Sequence, residues 1–238
     1  MIRAEEVVGA VLAALEREPR VQLHGYPIEV SYQDGVVILT GEVAGIAAKK
    51  LALELAASPS PVSAIVDRLR VAPAERMEDG AIRDHVCNSF ISEPAFEGYS
   101  VRALVKQEME PVRTLDSPAI LEVEIADGVV ILNGSVTSLS HKRLAGVLAW
   151  WVPGSRDVVN GIEVSPAMED NDFEVVDALQ LVLEKDPLVN AAQIRLGCRD
   201  LVVQLEGAVP TESGKTAAES DAWYIFGVNG VINKITVG

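Results

Sequence analysis

Gly214-Lys215-Thr216 stands between an apolar run and a helical stretch, where a nucleotide-binding loop would offer backbone N–H groups and a lysine to phosphate. Such a loop needs a glycine five residues before Gly214, but position 209 is Val209, and Gly207 lies too far back for one cradle. His24, His85 and His141 fall in separate segments with no cysteine or carboxylate at ligand spacing, which predicts no metal site. Ser140 and His141 are chain neighbours on a helix and cannot face each other as nucleophile and base. Glu169-Asp170-Asn171-Asp172 opens like a calcium loop but lacks its glycine and terminal glutamate. Acidic residues there announce a helix N-terminus, where the macrodipole favours them. The expectation is a non-enzymatic protein with no catalytic group, cofactor or metal.

The side chains left over are basic and aromatic, and they recur. Lys49, Lys142 and Lys215 occupy matching positions in three copies of one segment, Asp34 to Val71, Asp127 to Val164 and Asp200 to Val237, aligned without insertion or deletion. Lys50 and Arg143 follow two of these lysines. The lysine of the apparent phosphate loop therefore belongs to the repeat. These cations offer a small contact for lipid headgroups or an acidic neighbour, or simply a solvated helix flank. Further along the same stretch, Ala52, Ala56, Ala145, Ala149, Ala218 and Ala222 recur four apart and mark the side that lies close on a sheet. At 100° per residue, Trp150 and its equivalent Trp223 point away from that side, and Trp151 and Tyr224 point off it the other way. At least one of the Trp150-Trp151 pair is expected to be partly exposed or covered by another module. The candidate interaction surface is thus Trp150, Trp151, Trp223 and Tyr224 together with Lys49, Lys50, Lys142, Arg143 and Lys215.

The elements that must position these residues follow from the repeat. In the first copy a helix over about 3 to 17 stops at Pro19, an extended run Ile28 to Ser31 meets the Asp34-Gly35 turn, and Val36 to Val43 returns as a hairpin. A helix over about 44 to 57 and a strand over about 62 to 71 complete the unit. The third copy repeats the plan. The fold class is α+β: three tandem small α/β sandwich modules, each helix-strand-strand-helix-strand, with a three-stranded sheet covered by two helices. The expected boundaries are 1–74, 75–167 and 168–238. The second module carries about 20 extra residues near 97–117, where Leu104, Val105 and Met109 suggest a short helix, in either a functional loop or a solvated elaboration with no role.

Composition narrows the partners. A net charge of −15 leaves no excess of Lys and Arg to neutralise phosphates, so a nucleic-acid partner is not expected. Cys87 and Cys198 lie in different copies without metal or redox spacing and read as free thiols of a reducing compartment. Val7 to Leu15 is apolar but flanked by Glu5, Glu6 and Glu16, and its pattern returns at Glu174 to Pro187. It reads as a structural helix rather than a signal peptide, which points to a cytoplasmic protein with no transmembrane segment.

Asp186-Pro187 after a first helix, the hairpin Asp127-Gly128-Val129-Val130-Ile131-Leu132-Asn133-Gly134, and Pro153-Gly154 followed by Val158-Val159-Asn160-Gly161-Ile162-Glu163-Val164 together resemble the BON domain. The likeness covers the whole chain as three tandem copies, with Ser58-Pro59-Ser60-Pro61 replacing the usual Pro-Gly-Val in the first. The resemblance implies a non-catalytic bacterial module of envelope and stress-response proteins, credited with phospholipid binding or protein contacts. The leading expectation is a scaffold that binds a protein partner or its own copies. Peripheral phospholipid binding through the second helices is the alternative, and a small-ion or small-ligand sensor is a weaker one.

Overall fold

The structure is a computed structural model describing residues 3–238. It divides into two compact units, one ending at Ala72 and one running from Pro73 to Gly238.

The first unit holds α1 (Ala4–Arg17), β1 (Ile28–Gln33), β2 (Val36–Val43), α2 (Ile46–Ala57) and β3 (Ala64–Val71), the order that the sequence predicts. Val7, Val11 and Leu15 recur four apart on α1 and are all buried, which lays one stripe of the helix on the sheet. Asp34 and Gly35 both have positive φ, giving the turn whose twist matches the strands it joins, and β1 pairs antiparallel with β2. β3 then pairs parallel with β2 because α2 carries the chain back over one face. Ala52 and Ala56 are fully buried against Val37, Leu39, Val43 and Leu69. Their small side chains let α2 approach the strands closely.

The second unit contains two further copies of this plan. It begins with α3 (Asp79–Ser92) and a 3-10 turn (Pro94–Phe96), then β4 (Ser100–Val105) and β5 (Glu108–Arg113). There follow β6 (Ile120–Ala126), β7 (Val129–Val136), α4 (Leu139–Trp150), β8 (Asp157–Asn160) and β9 (Glu163–Val164). The last copy is α5 (Asp172–Leu183), β10 (Ile194–Arg199), β11 (Val202–Val209), α6 (Glu212–Tyr224) and β12 (Gly230–Val237). Asn171 caps α5 through its side chain, accepting from the amides of Phe173 and Glu174, so the acidic stretch is a helix start. Asp79 and Asp172 reach from the first turns of α3 and α5 to the amides of the hairpin turns at Asp127-Gly128 and Asp200-Leu201. α3 and α5 are thereby each tied to the hairpin of their own module.

The inserted segment corrects one expectation: it is a β-hairpin, not a short helix. Lys106 and Gln107 both take positive φ and close a two-residue turn, while Val101 and Ala103 are buried and Arg102 between them is exposed. That alternation is a strand period. β4 pairs in parallel with β6, so the second module's sheet runs β5-β4-β6-β7-β8 and has six strands with β9, not three. The outer edge of β6 supplies the backbone groups that decide the outcome. The Arg113 guanidinium fixes the far end by donating to the carbonyls of Tyr99, Ile91 and Phe96.

Candidate interaction site

The second helices present three cations at matching positions, and the fold uses each of them differently. Lys49 is buried on α2, where its ammonium donates to the Leu69 carbonyl at 2.8 Å and pairs with Asp67 at 2.9 Å. The residues equivalent to Asp67 are Asn160 and Asn233. Their side-chain amides donate to the backbone carbonyls of Lys142 at 2.8 Å and Lys215 at 3.3 Å. In every copy the same strand position therefore ties the second helix to the last strand. Lys50 is buried enough that desolvation pulls its ammonium down to about 7. Lys215 stays half-buried on α6.

Arg143 is 1% exposed, and its surroundings span the second and third modules. Nη2 donates to both carboxylate oxygens of Asp170 at 2.8 Å, and Nε donates to the Phe226 carbonyl at 3.0 Å. This forked grip joins α4, the linker before α5 and the segment after α6. Beside it the Lys142 ammonium lies 5.3 Å from the centre of the Phe226 ring. On the other flank, Lys185 after α5 pairs with Glu93 after α3 at 2.6 Å.

The aromatic pair stands at the same junction. α4 packs on α5 and α6, and Trp150 stacks on Tyr224 with ring centres 5.6 Å apart and 19° between planes. Trp151 donates its indole N–H to Asp221 Oδ1 at 3.0 Å, and Trp223 is 1% exposed. Trp150 at the end of α4 and Trp151 just after it, each half-buried, are thus both engaged by the third module. Burial raises the Asp221 carboxyl to about 8; the Trp151 hydrogen bond pulls the other way, and the nearby Asp186 carboxylate adds to the rise. Oδ2 of Asp221 receives no N–H or O–H among the described residues. Tyr224 is pushed up by burial and by Asp221.

Sequence reasoning named Arg143 and the aromatics but missed Asp221, Asp170 and Glu93. A signal for Asp221 existed: the equivalent positions in the other copies are Leu55 and Leu148, so a carboxylate sits where the repeat is apolar. Also missed was a cluster at the end of the second module. Tyr99 Oη lies 2.6 Å from His141 Nδ1 and 2.8 Å from Thr137 Oγ1, under the Phe96 ring. Burial lowers the His141 pKa, with Glu93 opposing. Tyr99 is 5% exposed, so this group holds the insertion in place and offers no open nucleophile. Among the described residues, no group of three or more His, Cys, Asp or Glu could hold a metal ion, and no helix is long and apolar enough to cross a membrane.

No curated protein sequence matches the chain. Among solved structures, it is similar to the C-terminal domain of CdsD, a structural protein of the type III secretion system of Chlamydia trachomatis, at 15% identity over all of both chains with a TM-score of 0.23. A second structure of CdsD from that organism covers 98% of this chain and 92% of its own at 14% identity, also with a TM-score of 0.23. Superpositions that loose carry no argument about fold or function. The family model of the BON domain matches residues 4–73, 100–166 and 171–238. Those three spans take in each strand-strand-helix-strand set with its valine core and hairpin glycines, and the chain belongs to the BON domain family as three tandem copies.

Proposed function

We propose that this chain is a non-enzymatic scaffold that associates with a protein partner or with its own copies through the uncovered faces of its sheets. The observation that carries the reading is one position in the last strand of each module. Val66 is 37% exposed, Val159 50% and Ile232 47%, all on the face turned away from the helices. Ile38 and Ile131 lie beside the first two, opposite them in the strand register and half-buried. An apolar row kept on an open sheet face in three copies is a surface for association. The tryptophans do not supply it, since they are engaged between the second and third modules. The phospholipid alternative rests on the cations of the second helices, and Lys49 and Arg143 are buried in contacts within the chain. Sedimentation equilibrium tests the reading. The wild type is expected to associate in the micromolar range, and a Val66→Lys, Val159→Lys, Ile232→Lys variant with an unchanged circular-dichroism melt is expected to be monomeric. A wild type that is monomeric, and that forms no sheet-face cross-links in bacterial cells, overturns it.

A further inference from the structure

Resting on that reading, we infer that the free edge of β10 and the groove beside it form a docking site for an extended segment of a partner protein. That segment carries an aromatic residue and, three residues later, an acidic one. The second module displays the arrangement with its own chain. β4 adds in parallel to the edge of β6, with Ser100, Val101, Arg102 and Ala103 opposite Ile120, Leu121, Glu122 and Val123. Tyr99, just before the strand, fills the end of the module beside Thr137 and against Phe96. Arg102 faces Glu122 across the two strands at 3.9 Å.

The third module has the same edge and leaves it open. Its equivalents of Ile120 to Val123 are Gln193, Ile194, Arg195 and Leu196, and β10 is the outermost strand of its sheet. The two-residue turn at Asp200-Leu201 sets which groups bond to β11, leaving the Leu196 amide and the carbonyls of Ile194 and Leu196 aimed outward. Val123 is fully buried beneath β4, whereas Leu196 is half-exposed. Where Tyr99 sits in the second module, the third has a groove of about 560 Å³ lined by Leu188, Val189, Gln193, Val209 and Pro210 among others. Val189 and Pro210 are the counterparts of Phe96 and Thr137, and Leu188 is 63% exposed at the rim.

Charge selects the partner. Glu122 is replaced by Arg195, which is 85% exposed and 3.9 Å from Glu206 on β11, and Arg199, 93% exposed, lies 3.8 Å from Asp200. Both ion pairs are long and solvent-exposed, so Arg195 keeps donors free on the open side of β10, and an acidic residue is the complementary neighbour there, where β4 has Arg102. Added main-chain hydrogen bonds supply affinity, and the groove and Arg195 supply selectivity.

The probe is a fluorescein-labelled synthetic peptide copying residues 99–105 with Arg102→Glu, titrated into the full chain by anisotropy. Saturable binding is expected, with amide shifts confined to Ile194–Cys198 and the groove. Arg195→Glu is expected to weaken it about fivefold to tenfold, and the unaltered 99–105 peptide should then bind this variant better. No saturable binding, or equal affinity for Arg195→Glu, overturns the proposal. The sheet-face variant described above keeps the β10 edge intact. Peptide binding by that variant once its self-association is lost supports the docking site by itself. A wild type that associates and ignores the peptide sinks only the docking site.

Discussion

Asp221→Asn is expected to stabilise the second unit at alkaline pH and to remove most of its pH dependence. The native carboxyl titrates at about 8 against an ordinary value of 3.8. An acid whose native pKa lies above its unfolded one keeps a proton in the fold that the unfolded chain has released. Its cost is therefore absent below about 4, grows as pH rises, and is complete above about 8. At about 1.36 kcal/mol per unit, the four-unit gap bounds the effect at ~6 kcal/mol. Water entry and side-chain relaxation lower that bound, and we expect ~2–4 kcal/mol. Asparagine keeps an oxygen for the Trp151 indole N–H and puts an N–H₂ donor toward Asp186 at every pH, whereas the native carboxyl can donate there only while it is protonated. The assay is convenient because the chain has 3 tryptophans, Trp150, Trp151 and Trp223, all in the second unit. Urea titrations followed by tryptophan emission at pH 5 and pH 8.5 thus report that unit. The wild type should lose stability between the two conditions, and the variant should not. Parallel losses in both, within ~1 kcal/mol, would refute the idea that Asp221 is a buried neutral acid.

Arg143→Met removes the fork onto Asp170 and the Phe226 carbonyl. It should cost ~2–3 kcal/mol in the same urea assay and speed amide exchange in residues 165–172 and 225–228. Asp172→Asn should bring Cys198 down from about 12, because burial and then Asp172 hold that thiol protonated. Iodoacetamide labelling of Cys198 at pH 9 should then outpace the wild type, and an unchanged rate would count against it. Gly207 has φ near 149°, and a Cβ there would strike the Gln193 carbonyl oxygen. Gly207→Ala should therefore destabilise the third module by ~2–4 kcal/mol in calorimetry.

Much of the fold could be read from the chain because its signals are local. The turns at Asp34-Gly35, Asp127-Gly128 and Asp200-Leu201 end strands at fixed places, and the apolar runs that follow them mark the central strand of each module. The alanines of α2, α4 and α6 mark the close contact with the sheet, and all six are fully buried. The inserted hairpin was not legible, since Leu104, Val105 and Met109 fit a helical spacing equally well. The unpaired edge of β6 settled the matter, and no local pattern reports an edge.

The sequence by itself determined three tandem αββαβ units, the places of their hairpin turns and the side on which each second helix packs. Propensity, turn chemistry and apolar period are properties of neighbouring residues. Only the tertiary structure decided what the conspicuous side chains do. Lys49 and Arg143 look like surface cations and are buried, one within its module and the other between modules. Trp150 and Trp151 leave one helix in different directions, yet Tyr224 and Asp221 meet both. Burial of a charge depends on which groups distant in the chain arrive beside it, and that is set by packing rather than by spacing.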